Sequence, residues 1–330
     1  MAGPCFEDFT PGDRFVSEPL TVSRDEIVAF ARAFDPQPFH LDEAAARSTF
    51  VGELIASGWQ TAALGMRLLQ AGVFRGGASQ GSPGIDELRW LRPVRPGDSL
   101  ILTTTVEDCR GSTSKPGLGF VRFSAQMENG AGEPVMTQGF TVMFARRGAE
   151  PTPPRPVRLT TPEPQPEPND AETLGFLGQI EIGRTRDLGP YTFTAEDIVA
   201  FARAYDAQPF HLDPEAAARS HFGGLCASGW HTAAAYMRRL LITRARDQAY
   251  TAARGAVPMF GPSPGFRKMR WLKPVYAGDT IRYRTTLTDR RASASRPGWG
   301  LAFAHNTGTN QHGEAVFRFD STVFCQWEPA

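Results

Sequence analysis

Apolar positions along this chain change their period at a proline-rich turn and again at the start of a long second half-unit, and the whole pattern then repeats. In "SRDEIVAFARAF", Ile27, Phe30, Ala31 and Phe34 fall on one helical face. Ser23 and Glu26 read as a capping box that opens this helix. "FDPQPFHLD", residues 34–42, breaks the pattern. Pro36 and Pro38 push Asp35 and Gln37 out of the α region, so the helix is expected to end at about Phe34. Asp42 then caps a short Ala-rich helix. "SGWQTAALGMRLLQAG" predicts a longer, mostly apolar helix that begins near Ser57. Strand patterns follow in "SLILTTTVEDC", "GFVRFSAQMEN" and "VMTQGFTVMFARR", separated by the turn signals "RPGD", "SKPG" and "ENGAGE". Helices followed by hairpin-linked strands predict an α+β fold, an antiparallel sheet wrapped around one long helix.

The same order is written twice. Asp35, His40 and Ser57 recur as Asp206, His211 and Ser228 at one constant offset. Trp90, Gly97, Lys115 and Gly132 recur as Trp271, Gly278, Arg296 and Gly313 at an offset ten residues larger. The difference predicts a ten-residue insertion in the second copy, after a helix ending near Leu241. In that copy Thr194 and Asp213 take the capping positions, with Pro214 in the first turn. The unit is a domain, far longer than a solenoid repeat. Between the copies runs "GAEPTPPRPVRLTTPEPQPEPND", with eight prolines. Such chain is extended at about 3.1 Å per residue, so about twenty residues cross roughly 60 Å and need not dictate which faces meet. The expected division is 1–148, a linker 149–172, and 173–330.

Composition narrows the class. The 330 residues are 41% apolar and 21% charged, with zero formal net charge. These values fit a soluble globular protein, and no long-range field favours nucleic acid or an anionic membrane. Arg greatly outnumbers Lys, found only at Lys115, Lys268 and Lys273. Cys5, Cys109, Cys226 and Cys325 show no metal-ligand spacing and no pairing pattern, which suits a reducing, cytoplasmic setting. Cys226 matches Ile55 in the other copy and is expected to be a small buried apolar residue. No apolar signal-type segment opens the chain, and no run is long enough for a membrane span. No metal or separate cofactor is expected.

The chemistry gathers in the proline turn. Asp35 and His40 are joined by a bend that can aim both side chains into one pocket, and Asp206 and His211 repeat them with Ala207 in place of Pro36. A lone Asp and His in such a bend serve structure more often than chemistry, and duplication copies structural residues too. Ser57 and Gln60 read as a second capping box. Gly58 sits at the positive end of the long helix, where its N–H could face charge developing on a carbonyl oxygen; tight packing is an equal reason for that glycine.

Asp35-Pro-Gln-Pro-Phe-His40 and Asp206-Ala-Gln-Pro-Phe-His211, followed by "AARSTFVGELIASG" and "AARSHFGGLCASG", resemble the MaoC-like dehydratases, the (R)-specific enoyl-CoA hydratase family. "DELRWLRPVRPGD" is similar to the family's strand region, and the likeness covers nearly all of the chain outside the linker. It implies two hotdog domains forming a pseudo-dimer within one chain. It also implies a water held by Asp35 with His40, and by Asp206 with His211, for addition to a trans-2-enoyl-CoA or for the reverse dehydration. Gln37 and Gln208 match the water-placing position, Gly58 and Gly229 the oxyanion-binding one. A greasy surround of Phe34 and Phe39 would raise the Asp pKa. Candidates for the CoA phosphates are Arg89, Arg92 and Lys115, with Arg270, Lys273 and Arg296. Two departures stand out: Gln replaces the family's Asn, and Ser57 and Ser228 replace a His. Two intact turns point to two sites and to short or branched acyl groups. A hotdog thioesterase and a non-catalytic acyl-CoA-binding subunit are the competing readings.

Overall fold

The capping residues act where the sequence puts them. Ser23 accepts from the Glu26 N–H at 3.1 Å and Thr194 from the Asp197 N–H at 3.1 Å. Asp42 and Asp213 cap the Ala-rich turns through Ala45 and Ala216. A computed structural model of the chain describes residues 3–76, 79–150, 152–157, 165–168 and 170–329. The first half runs β1 (Arg14–Val16), β2 (Leu20–Thr21), α1 (Arg24–Phe34), α2 (Pro38–Leu41), α3 (Glu43–Arg47), α4 (Gly58–Ala71), β3 (Gly84–Trp90), β4 (Ser99–Gly111), β5 (Leu118–Glu128) and β6 (Pro134–Ala145). The second half repeats it as β7 (Thr185–Thr192), α5 (Ala195–Tyr205), α6 (Pro209–Leu212), α7 (Pro214–Arg219), α8 (Gly229–Ala252), β8 (Gly265–Trp271), β9 (Thr280–Ala292), β10 (Trp299–Thr309) and β11 (Ala315–Gln326).

Three local expectations are corrected. The proline bend is not wholly irregular: Pro38 and Pro209 open one-turn helices, because proline at the first helical position sacrifices no needed N–H. The extra residues of the second copy do not follow a helix ending near Leu241. They lengthen the helix itself, so α8 has 24 residues against 14 in α4. The Ser57–Gln60 box is half formed. Ser57 Oγ accepts from the Trp59 N–H, but the Gln60 amide donates to the Glu26 carbonyl instead.

All strands pair antiparallel in one sheet ordered β1-β4-β5-β6-β3-β8-β11-β10-β9-β7, with β2 also on β4. The halves meet where β3 pairs with β8, Gly84 opposite Arg270 and Arg89 opposite Gly265. The chain therefore supplies both partners of a pseudo-dimer. α4 is buried along Trp59–Gly65 and α8 along Trp230–Tyr236, so each sheet half wraps its own long helix. The buried apolar residues of both halves form one cluster. Of the proline-rich stretch, residues 151, 158–164 and 169 lie outside the described residues. Parts of the rest pack on the second half: Arg155 N–H donates to the His221 carbonyl, and Arg246 to the Pro168 carbonyl. No helix among the described residues is long and apolar enough to cross a membrane.

Candidate active site

Asp35 is the C-cap of α1, and its non-helical backbone (φ −141°, ψ 64°) turns the chain from the helix into the proline bend. Its side chain points inward and is 2% exposed; His40, on α2, is 4% exposed. The two meet with His40 Nε2 at 3.5 Å from Asp35 Oδ2. The other imidazole nitrogen, Nδ1, lies 2.8 Å from the Ile55 carbonyl oxygen. A carbonyl can only accept, so Nδ1 carries the proton. In the neutral ring Nε2 then presents a lone pair towards the carboxylate. Two acceptors 3.5 Å apart cannot bond each other, and the pair is shaped to share a donor such as water.

The carboxylate is held from both sides. The Gln37 amide donates to Oδ1 at 2.9 Å, and Ser57 Oγ donates to Oδ2 at 2.6 Å. Ser57 thus caps α4 and fixes the carboxylate with one hydroxyl. Sequence reasoning assigned it only the cap. The signal for the second duty was its recurrence at the same distance from the Asp in both copies. Gln37, one methylene longer than Asn, spends its amide on the carboxylate.

The second copy reproduces this geometry. His211 Nε2 is 3.5 Å from Asp206 Oδ2, and His211 Nδ1 is 2.7 Å from the Cys226 carbonyl. Gln208 and Ser228 donate to Asp206 at 2.9 and 2.6 Å. Burial pushes the His211 imidazole below its ordinary value, while Asp206 and the Cys226 carbonyl pull the other way. The neutral, Nδ1-protonated ring is therefore the resting form. Cys226 is buried and burial raises its thiol, as a small apolar residue requires.

Gly58 and Gly229 open α4 and α8, where the first backbone N–H groups have no intrahelical acceptor. A Cβ on Gly58 would stand 2.7 Å from the Trp90 ring, and one on Gly229 would stand 2.3 Å from Trp271. Each indole N–H also donates to the glycine carbonyl, at 2.8 and 2.9 Å. Packing against a tryptophan accounts for these glycines.

A cavity of about 220 Å³ reaches the second site. Asp206, Gln208, His211 and Gly229 lie in its wall, together with residues of the first half. Of the expected phosphate ligands, Lys273 lines this cavity and pairs with Glu314. Lys115, from the first half, is close enough to His221 of the second to act on its charge. Arg270 is spent across the seam on Asp86 and the Ile85 carbonyl. Arg92 bonds the Pro134 carbonyl, Arg296 stacks 4.6 Å from the Trp299 ring, and Arg89 is exposed beside the seam. Arg155, from the proline-rich stretch, lines the cavity and had no sequence signal.

The profile of the MaoC like domain matches residues 8–123 and again 178–297. The chain belongs to the MaoC-like family. Its matches fall one in each half, and each contains one Asp–His turn. A relative in sequence is the uncharacterized protein YdeM of Bacillus subtilis (strain 168), 33% identical over 112 residues, which covers 34% of this chain and 79% of that protein. Among solved structures, the putative MaoC domain protein dehydratase of Chloroflexus aurantiacus J-10-fl superposes with a TM-score of 0.78 at 17% identity, covering 99% of this chain and 98% of that one. A conserved hypothetical protein of Mycobacterium tuberculosis, described as having a double hotdog fold, gives a TM-score of 0.73 at 15% identity and 98% coverage of both chains. The fold is accordingly a double hotdog.

Proposed function

We propose that the chain is a hydro-lyase that adds water to a trans-2-enoyl-CoA of short or branched acyl chain, or runs the reverse dehydration, at Asp35–His40 and Asp206–His211. The observation that carries this reading is the pair of buried acceptors, carboxylate and imidazole, held 3.5 Å apart in both halves. One water donating to both is polarised towards hydroxide. Its oxygen attacks the β carbon, and the π electrons move into the thioester carbonyl. The pair takes the water's proton and returns one to the α carbon, so acid and base work balance. The N–H of Gly58 or Gly229 supports the enolate-like oxygen at a helix N-terminus. Gln37 and Ser57, with Gln208 and Ser228, keep the carboxylate oriented throughout. Lys273, Lys115 and Arg155 are the cations best disposed for the CoA phosphates of a substrate entering the cavity.

Loss of conjugated-enoyl ultraviolet absorbance from crotonyl-CoA, without release of free CoA, is the expected activity. H40A combined with H211A should abolish it while circular dichroism stays unchanged; a double variant that hydrates at the wild-type rate overturns the reading. If each single variant keeps about half the crotonyl rate, both sites work.

A further inference from the structure

The arginines of α8 are spent on partners, except Arg244. Arg238 donates to the Arg32 carbonyl, Arg239 pairs with Glu167, and Arg246 donates to the Pro168 carbonyl. Arg244 makes no hydrogen bond and no ion pair among the described residues, and its Cζ stands 4.0 Å from the centre of the Phe260 ring. A ring face attracts the charge but leaves the five N–H donors of the guanidinium unmatched. Burial pulls the Arg244 pKa down, yet part of the side chain is open, so it lines a space rather than filling one. Cys325, Tyr236 and Asp35 are close enough to act on its charge. Burial holds the Cys325 thiol up at about 11 and raises the Tyr236 phenol too, so neither is an anion at neutral pH. The Asp35 carboxylate is already held by Gln37 and Ser57. A cation kept in the interior without a close counter-ion is costly, and an arriving anion relieves that cost.

The second copy clears room for this group. In the first half, Phe74 follows α4 and packs on Phe123 and Phe144, each at 5.9 Å, and Phe123 stacks on Phe140 at 5.4 Å. Strand register supplies the counterparts. Phe123 opposite Phe140 becomes Ala304 opposite Ser321, and Phe144, bridged to Ser79, becomes Cys325, bridged to Phe260. Three rings thus give way to three small residues beside Arg244, which lies in the turns by which α8 outruns α4. A planar carboxylate matches the guanidinium fork with two parallel hydrogen bonds. Position tells which part of a substrate would carry that carboxylate. The pantetheine arm keeps the phosphates of CoA far from the reacting double bond, whereas Arg244 feels the charge of Asp35. The anion therefore belongs to the acyl group. At the second site α4 ends too early to bring such a cation, and Met66, Leu69 and Phe74 line the cavity there.

We propose that the Asp35–His40 site takes an enoyl-CoA whose acyl group ends in a carboxylate, and that Arg244 binds this carboxylate. Arg244 selects the substrate and touches no reacting atom. This assignment rests on the hydro-lyase reading.

The test uses two single-site proteins, H211A with only the first site and H40A with only the second. Each is given trans-2-hexenedioyl-CoA and trans-2-octenedioyl-CoA, beside the neutral enoyl-CoA of the same length. H211A should prefer at least one acid to its neutral partner by at least about tenfold in kcat/KM, and H40A should not. Adding R244M to H211A should remove most of that preference, chiefly through KM, while R244K should keep part of it. No preference for either acid in H211A, or one that R244M leaves intact, overturns this inference alone. Failure of the wild-type protein to hydrate any enoyl-CoA, neutral or acidic, sinks the hydro-lyase reading instead. Calorimetry with saturated thioesters then still decides the role of Arg244. Adipyl-CoA or suberyl-CoA bound at least about tenfold more tightly than hexanoyl-CoA or octanoyl-CoA, with the difference lost in R244M and partly kept in R244K, supports it. Equal affinities for acidic and neutral thioesters overturn it.

Discussion

Ser57 and Ser228 each serve two masters, and their removal should show both. Each hydroxyl accepts a helix N–H and donates 2.6 Å to a buried carboxylate. A hydrogen bond to a charged group is worth about 1.5–3 kcal/mol, and an N-cap about 1 kcal/mol. S228A is therefore expected to lower stability by roughly 2–3 kcal/mol in urea denaturation. It should also reduce kcat more than it raises KM, since a loosened Asp206 misplaces the water rather than the substrate. A cap alone would leave kcat untouched. His231 raises a different matter. Both its ring nitrogens are buried and unpartnered among the described residues, and the ring lies flat on Phe201 at 4.7 Å. Burial lowers its pKa to about 3, and that of His221 to about 4. A histidine held below its unfolded value near 6.5 adds no cost above that pH. As pH falls below 6.5 the unfolded state binds the proton and the folded state does not, so stability drops by about 1.4 kcal/mol per pH unit for each group. The loss continues to about pH 4 for His221 and about pH 3 for His231. H231L, similar in volume and without orphaned nitrogens, should flatten this fall. Denaturation midpoints at pH 8 and pH 5 measure it, and parallel declines in wild type and variant would refute it.

Elements carry their own constraints, chiefly at the seam. Gly84 and Gly265 begin β3 and β8 with φ of +153° and +145°. A Cβ at either would stand 2.0 Å from a carbonyl oxygen of the opposite strand, Met269 for Gly84 and Leu88 for Gly265. Backbone cannot step aside as a flexible side chain can. G84A or G265A should cost roughly 3 kcal/mol, measured by urea denaturation. Variants within about 1 kcal/mol of wild type would show that the seam tolerates a wider strand spacing. The helices and the β-rich remainder were legible in the sequence because caps, prolines and period-two runs are local signals. The lengthened α8 was not, because extra residues announce a gap in an alignment but not the structure that fills it. The one-turn helices at Pro38 and Pro209 were missed for a related reason, as proline reads first as a breaker and only in context as an initiator.

At the scale of the whole molecule, the duplication told most of the story. Two copies in one chain implied a pseudo-dimer, and the sheet joins them through β3 and β8. The Asp–His pairs were legible because each lies within one short turn. The cavity was not, because its walls come from the opposite half, and nothing local links Ile85 or Gln138 to Asp206. The cationic candidates show the same limit. Arg270 looked like a phosphate ligand until its partners across the seam were known. Arg155 drew no notice in a proline-rich stretch, yet it stands at the cavity. One detail bears on how such a pair of sites withstands mutation. The tautomer of the imidazole in each turn is written by main-chain oxygen, at residue 55 in one copy and 226 in the other. The side chains there have already drifted apart, isoleucine in one and cysteine in the other, while the protonated nitrogen has stayed the same. Within the limits that burial sets, genetic change can repaint that position, for the instruction it gives the ring is carried by the one part of a residue that no codon alters.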